Sequence, residues 1–371
     1  MIRIDIIDEP AAFADLRAEW NELLTDSDSD GLFLTWEWLY TWWRHLAEDR
    51  RLRIITVRRD RHLIGIAPLV RRSRSWWRLI PFPALEFLGA GEAGSDHLDV
   101  LVRRGHESQA LYALAEVLAG DRLMLELSRV REGAYAAELA REIHRWGWDT
   151  HEAETDVCPR IDLAGRNWDG YLAGLGPAHR YNLRRRLRNL DKHWHVSFEC
   201  ATDETQRAVT VNELVALHQR RWRRRGEPGA FHNPAVRAFH HEISRIALEL
   251  GWLRLYRLRL DGRTVAAVYG FLYHGVFYFY QSGFDLEFQR HSVGLAIMAL
   301  TIRSALEEGA RSYDFLCGDE SYKSLWAEHR RTLQRLMFYP PGQRGALYRQ
   351  TMGLRISLKK MALRPAAADA G

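Results

Sequence analysis

The sequence predicts an α/β (α+β) protein built as two tandem domains of one fold, and three observations carry that expectation. The chain has 371 residues, 47% of them apolar, which exceeds one ordinary domain and suffices for a packed core. A helix followed by strand, turn and strand occurs twice: Leu52 to Asp60 leads into Arg61 to Ala67, and Leu253 to Asp261 leads into Gly262 to Val268, with leucine and aspartate equally spaced in both copies. From Phe277 to Lys323 the pattern runs strand, polar loop, amphipathic helix, second strand, and a turn dense in ionisable groups.

The first copy opens with a tryptophan-rich helix (Trp36, Trp38, Trp42, Trp43), and after its hairpin come a helix from Ser108 to Ala119 and a strand from Leu123 to Leu127. Cys158 to Gly165 reads as a crossing strand and turn, which sets a boundary near Ala164 and divides the chain into 1–164, 165–342 and a basic tail, 343–371. Trp168 to Leu190 reads as helical, and a helix from Pro234 to Leu250 precedes the second hairpin. Phe277 to Tyr280 is an aromatic run of strand type, and Gln281 to Asp285 favours a turn. From Val293 the apolar positions Leu295, Met298, Ala299, Ile302, Ala305 and Leu306 recur at helical spacing, with Ser292 placed to cap the helix and Gly309 to end it. Tyr339-Pro340-Pro341-Gly342 stops regular structure. The tail from Arg344 to Arg364 reads as a surface helix or a disordered segment, with weak membrane-surface contact as a second reading.

No apolar run approaches the roughly 18 residues of a membrane span, and Met1 to Asp5 lacks a signal-peptide layout, so a soluble cytoplasmic protein is expected. Cys158, Cys200 and Cys317 are widely separated, which argues for reduced thiols and against a disulfide framework or a metal site. A net charge of +5 suits an anionic ligand without implying nucleic acid, which is not expected as a partner. The dense runs Arg184 to Arg188 and Arg220 to Arg225 read as solvated helix faces, with a phosphate or nucleic-acid groove as a second reading that Trp222 among the arginines keeps open.

The helix of the second copy opens on His291-Ser292-Val293-Gly294-Leu295-Ala296. Its unpaired N–H groups and positive dipole end suit a pyrophosphate, and Gly294 admits an anion without a Cβ in the way. These residues resemble the acyl-CoA loop of the GNAT acyltransferases: Gly294-Leu295-Ala296 fits its second half, and His291 stands where that loop has a basic or amide residue. Tyr280 to Asp285 and Tyr313 to Trp326 resemble the CelD-type branch, named for cellulose biosynthesis, and the likeness is strongest from Tyr171 to Phe338. The resemblance implies two GNAT-like domains, each a mixed central sheet flanked by helices. It implies acetyl-CoA or another acyl-CoA as cosubstrate, held by Gln281, Ser282, His291, Ser292, Val293, Gly294, Leu295 and Ala296. It also implies direct transfer, with the pantetheine arm between splayed parallel strands, Gly275 to Gln281 and Ser312 to Leu316, and N–H groups near Gln281 and Ser282 polarising the thioester. The matching segment of the first copy, Val102 to Glu107, lacks Gly-x-Ala and reads as a degenerate copy that shapes the acceptor pocket.

The turn from Gly318 to Lys323 holds the candidate catalytic residues. Asp319 or Glu320 would be the general base, although a following helix would weaken either by its dipole, and Asp319 or Ser321 would equally serve as a cap. Tyr322 is the candidate acid for the thiolate, and Lys323 would bind an anionic group or cover Trp326. Cys317 with His291 forms a minor alternative, an acyl-enzyme route. For the acceptor, a small molecule or saccharide, the candidates are Trp36, Asp96, Arg180 and Asp285, the last also a brace for its loop; Trp76-Trp77 is a further exposed aromatic candidate. The leading function is acyl-CoA-dependent N- or O-acyl transfer to a saccharide or polysaccharide precursor. The alternatives are a FemX-like transferase using aminoacyl-tRNA and a non-catalytic assembly protein.

Overall fold

The computed structural model describes residues 1–76 and 80–351. Trp77 and most of the basic tail, 352–371, lie outside the described residues, as does the Trp76 side chain. The first half contains β1 (Ile2–Ile7), α1 (Pro10–Asp15), α2 (Arg17–Thr25), α3 (Trp36–Leu46), β2 (Arg51–Arg59), β3 (His62–Trp76), β4 (Ile80–Phe87), β5 (Leu101–Val102), α4 (Glu107–Asp121), β6 (Met124–Arg131), α5 (Tyr135–His144) and β7 (Asp149–Asp162). The second contains α6 (Trp168–Gly174), α7 (Pro177–His193), β8 (Val196–Cys200), α8 (Glu204–Arg224), α9 (Pro234–Glu249), β9 (Leu253–Leu260), β10 (Arg263–Tyr273), β11 (Val276–Phe284), α10 (Val293–Glu307), β12 (Ser312–Asp314) and β13 (His329–Tyr339).

These strands form one mixed sheet, ordered β1-β2-β3-β4-β6-β13-β7-β12-β11-β10-β9-β8, with β5 paired to β3. The order is symmetric about its middle: β1-β2-β3-β4-β6 on one side mirrors β8-β9-β10-β11-β12 on the other, and each arm has one parallel pair, β4 with β6 and β11 with β12. The repeat of the hairpins is thus a repeat of topology. The final strand of each half crosses to the other: β7 pairs with β12, and β13 inserts between β6 and β7. β13 escapes the sequence reading because Arg330, Arg331 and Arg335 interrupt its apolar alternation, and its N-terminal part is exposed. The tail begins as a helix over residues 343–351, with Tyr348 buried.

Helices α3 and α9 also join the halves. Trp38 lies edge-on to Phe239 and Phe271, and its indole N–H donates to Ser95 Oγ at 2.9 Å. One apolar core runs from Phe13 through Trp38 and Leu127 to Phe239, Phe271 and Phe338, and a second packs α10 and α7 on the opposite face of the second arm. Where sequence suggests one helix from Trp168 to Leu190, there are two, broken at Leu175 and Gly176 with Pro177 starting α7. Among the described residues no helix is long and apolar enough to cross a membrane, and all three cysteines are free.

Because β13 is a second-half strand packed into the first-half core, the halves should unfold together. Phe338→Ala, at a fully buried position, is expected to cost about 3–5 kcal/mol and to shift one shared transition in urea, followed by tryptophan fluorescence and far-UV circular dichroism. Two separated transitions would contradict the shared core.

Candidate active site

The parallel pairing of β11 with β12 covers only three positions, Val276 with Ser312, Phe277 with Tyr313, and Tyr278 with Asp314. Beyond Asp314 the chain follows β7 instead: Phe315 N–H donates to the Pro159 carbonyl at 2.9 Å and Gly318 N–H to that of Val157 at 3.0 Å. This draws the two strands apart. β11 also carries a bulge, since Gly270 pairs with Phe279 and Tyr269 with Gln281, leaving Tyr280 without an opposite residue and its backbone outside the ladder.

The splay opens a cleft of about 450 Å³ lined from β11 by Phe279, Tyr280, Gln281 and Ser282, and from the far side by Phe315, Leu316, Cys317, Glu320, Tyr322 and Lys323. A second cavity, about 280 Å³, adjoins it at the start of α10 and is lined by Phe284, Gln289, Ser292, Gly294, Leu295, Met298 and Trp326. Arg221, Ser282 and Tyr322 line both. The two form one groove from a helix N-terminus to the gap between the strands.

At that N-terminus the N–H groups of Leu295 and Ala296 donate to the Ser292 carbonyl, leaving those of Val293 and Gly294 without an intrahelical acceptor. Ser292 differs from expectation: its backbone is left-handed, its side chain makes no cap bond, and its hydroxyl accepts from Arg186 of α7. A Cβ on Gly294 would meet the Phe284 ring at 3.3 Å, tight but not prohibitive. The side chains of Val293 and Ala296 are buried in the second core, so these two offer backbone alone. His291 does not reach the groove; it is exposed, its ring 4.5 Å from that of Trp194. Gln289 lines the cavity in its place.

The turn after β12 separates its candidates. No α-helix follows it, only a short 3-10 turn from Lys323 to Leu325, so the expected dipole is missing. Asp319 points away from the cleft, 57% exposed and 3.1 Å from Arg330. Lys323 is buried, its ammonium 3.0 Å from the Cys317 carbonyl, 3.5 Å from those of Leu316 and Gly318, and 2.9 Å from Glu320. All its donors are thereby used, which makes it the anchor of the turn rather than a free ligand-binding cation. Gly318 has φ +129, and a Cβ there would collide with Glu320 and crowd the Lys323 ammonium at 3.0 Å. Tyr322 faces the groove; burial raises its phenol above the usual range, and Glu320 adds to the rise. Cys317 is pushed up to about 11 by burial and then by Asp96, a neutral thiol with no exposed histidine such as His291 beside it.

The acceptor candidates part in the same way. Asp96, from the first half, lines the cleft, is 2% exposed, and accepts from Cys317 N–H at 2.7 Å. Arg129 stands 3.4 Å from its other oxygen without a hydrogen bond. Burial raises this carboxyl above the usual range against the pull of His97 and Arg129. Trp36 lies elsewhere, stacked on Tyr40 with its N–H on the Phe13 carbonyl at 2.9 Å, because its helix turns it against the first-half core. Arg180 donates to the Ala173 carbonyl at 3.1 Å, closing the end of α6. Asp285 is buried, binds Arg263 at 2.6 Å and caps the turn before α10 through Glu287 N–H, a brace for the loop.

Arg221 and Trp222 of α8 and Arg225 just past its end, which the sequence reading held mainly as a solvated face, all line the cleft. The buried stripe of α8 passes through Leu214, Leu217 and His218, and continuing it by three or four residues reaches Arg221 and then Arg225. Trp222 among the arginines was the signal for this second reading. Arg221 lies over the Phe284 ring at 4.9 Å, and burial, then Arg225, lowers its basicity. In the first half the start of α4 is filled by its own chain, with Glu107 accepting from Gly105 N–H at 2.9 Å.

Among the described residues one group of three side chains, His97, Cys158 and Asp314, brings metal-type ligand atoms within 4.8 Å of one another. His97 and Asp314 already bond at 3.0 Å, and burial holds the Cys158 thiol far above its ordinary pKa, a donor set unsuited to giving up protons to a cation.

No curated protein matches the chain in sequence. Residues 177–324 match the family described as "Acetyltransferase (GNAT) domain". In structure the chain is similar to a crystal structure of FemX, with a TM-score of 0.64 at 13% identity over 90% of this chain and 98% of that one. It is also similar to L-PGS from Bacillus licheniformis, with a TM-score of 0.54 at 11% identity over 91% and 95%. The C-terminal domain (DUF2156) of a putative lysylphosphatidylglycerol synthetase from Agrobacterium fabrum gives 0.52 at 10% identity over 87% and 92%. At these identities the likeness is one of fold.

Near the cleft, burial lowers His240 to about 3 and His218 to about 4, the latter helped by Arg221. Both are therefore neutral in the fold yet take up protons when unfolded below about pH 6.5, so their contribution to stability is lost as pH falls through that window. His240→Phe, among the rings of Phe231, Phe239 and Tyr269, should lose about 2 kcal/mol less than the parent between pH 7 and pH 4.5 in urea melts. Equal losses would show that His240 is not held neutral.

The groove from a helix N-terminus to a splayed parallel pair is built on the stretch, residues 177–324, that matches the GNAT acetyltransferase family, and that match supports an acyltransferase.

Proposed function

We propose that the chain transfers an acyl group, acetyl first among them, from acyl-CoA directly to a hydroxyl or amine of a saccharide or polysaccharide precursor. One observation carries this reading: the cavity at the start of α10 and the cleft between β11 and β12 are continuous through Arg221, Ser282 and Tyr322. The free N–H groups of Val293 and Gly294, with Arg186 and Arg221 beside them, would take the pyrophosphate. The arm would run to the bulge, where backbone N–H groups around Tyr280 and Gln281 would polarise the thioester oxygen.

In this reading Asp96 is the general base. Its carboxyl has an unbonded oxygen, and its raised pKa makes it a better proton acceptor than an exposed carboxylate such as Asp319. The acceptor attacks the thioester carbonyl as Asp96 takes its proton, the C–S bond breaks, and Tyr322 protonates the leaving thiolate. Glu92, Trp222 and Glu320 line the same cleft and suit a polyhydroxylated acceptor, an aromatic face with carboxylates at its edge. A cytoplasmic setting fits a CoA donor.

A second reading, transfer of an aminoacyl group from tRNA, is favoured by Arg221, Arg225 and Trp222 in the cleft, a basic and aromatic set suited to a polynucleotide end. Thermal-shift titration separates the two: a midpoint raised by acetyl-CoA and not by aminoacyl-tRNA supports the first, and the reverse supports the second. An acceptor screen with labelled acetyl-CoA then identifies the product.

Gly294→Asp should weaken acetyl-CoA binding at least about tenfold, roughly 1.4 kcal/mol, by setting a carboxylate against the pyrophosphate, whereas Gly294→Ala, which brings only the 3.3 Å contact with Phe284, should weaken it far less. Equal binding by the Asp variant and the parent in calorimetric titration refutes the assignment of the loop.

Asp96→Asn should lower kcat about 10²-fold or more and flatten the acid limb of the rate profile, whose midpoint in the parent lies above the ordinary carboxylate range. Tyr322→Phe should lower kcat with little change in acetyl-CoA affinity. A parent-like pH profile in Asp96→Asn removes Asp96 from the role of base.

A further inference from the structure

A cavity of about 390 Å³ sits behind the central cleft and shares no lining residue with it. The His97–Asp314 bond, next in sequence to Asp96 on one side and near Cys317 on the other, forms the wall between them. Four guanidinium groups face this cavity: Arg131 of β6, Arg160 of β7, Arg331 of β13, and Arg311 just before β12. Its three carboxylates are already engaged. Asp314 holds His97 and Leu316 N–H, Asp30 holds Tyr273 and His274, and Asp162 accepts from Ala164 N–H at 3.2 Å.

The arginines are not matched in return. Arg131 donates to the Asp28 carbonyl at 2.6 Å and Arg311 to the His274 carbonyl at 2.9 Å, neutral acceptors, with Asp99 acting on Arg131 only at longer range. Arg160 has a buried Nε with no hydrogen-bond partner, and among the described residues Arg331 has no carboxylate in ion-pair contact, acting on Asp314 only at longer range. In the β7–β13 register Arg331 opposes Cys158 and Arg160 opposes His329, so the two guanidinium groups are diagonal neighbours. Like charges so placed at a half-buried site repel, and Asp314, which opposes Arg160 in the β12–β7 pair and acts on Arg331, is one carboxylate against two guanidinium groups and is already bonded to His97.

We propose that this cavity binds the phosphoryl group of a small molecule, gripped by Arg160 and Arg331 and flanked by Arg131 and Arg311. Planar guanidinium forks match phosphate oxygens two at a time. The remaining volume, at the lower end of the range for small-molecule sites, admits a compact organic portion. The same four positive charges disfavour a cation at the neighbouring His97, Cys158 and Asp314. The site exists only because the halves exchange strands: Arg160 arrives on the last strand of the first half and Arg331 on the last strand of the second. A bound phosphoryl group therefore bridges the two halves at their seam.

The test is a thermal-shift titration with inorganic phosphate and with glycerol phosphate, at ionic strength held constant with sodium chloride. The midpoint of the parent should rise by several degrees with saturation, in the presence of saturating CoA and equally in Gly294→Asp. The rise should vanish in Arg160→Gln/Arg331→Gln while stabilisation by CoA persists. If that double variant does not fold, Arg331→Lys, which keeps the charge and loses the fork, should bind phosphate at least tenfold more weakly than the parent. No rise in the parent overturns the proposal. So does a rise that survives the arginine substitutions, or one that disappears with CoA bound or in Gly294→Asp, since the anion would then be in the coenzyme groove.

Discussion

The exchange of last strands between the halves is the constraint on which the site depends. A parallel pair such as β11 and β12 would continue side by side if nothing competed for the second strand. Here β7, a strand of the first half, takes the hydrogen bonds of Phe315 and Gly318 and leads the chain away from β11 after three paired positions. Each N–H that β7 satisfies would otherwise need another partner. The gap is therefore held open by bonds made on its far side, and it need not be created by the ligand. The same β7 continues against β13, so loosening either exchanged strand would alter the width of the cleft.

What that gap leaves exposed is controlled by charges that do not themselves reach the reaction. The Lys323 ammonium gathers three carbonyl groups of the turn after β12, a task that only a buried cation with several donors performs, and Gly318 leaves room for it. With the turn fixed, Tyr322 is presented to both cavities and Glu320 to one. Asp314 is treated oppositely to Asp96: burial would raise both, but His97 and the Leu316 N–H hold Asp314 below its ordinary value while Asp96 stays above it. Two buried carboxyls a few residues from the same seam are thus set to different affinities for a proton, and the weaker acid is the one that faces the cleft.

The parts of this arrangement visible in sequence are those set by local pattern. The hairpins, the aromatic run of β11, the apolar stripe of α10 and Gly309 just beyond its end all depend on spacing that neighbours in the chain supply. The parts that were not visible depend on contacts distant in sequence. β7 could be seen as a crossing strand but not its partner β13, whose register with residues 149–160 no local pattern encodes. Trp36 and Asp96 were both candidates as sequence, and only the fold shows that one packs against the first-half core, stacked on Tyr40, while the other lines the cleft. His291 fits a motif position, yet the left-handed Ser292 that follows it turns the chain so that its ring meets Trp194. Lys323 looked like a ligand for an anion because sequence cannot show that three carbonyls surround it.

Among the described residues the first half has no groove at the start of α4 like the one at the start of α10, and what it gives to the second half is different. Its helix α4 begins with Glu107, whose carboxylate occupies the place an anion would need and repels one. The first half contributes Asp96 and Arg129 to the cleft, along with strand β7, which opens it. A lone second half would keep the start of α10 and the bulge of β11, the parts proposed to hold a thioester. It would lack both the carboxyl beside Cys317 and the strand that parts β12 from β11. In the proposed reading the duplicated architecture separates two tasks, one half binding the donor and the other receiving the acceptor's proton, with the acceptor entering at the seam between them.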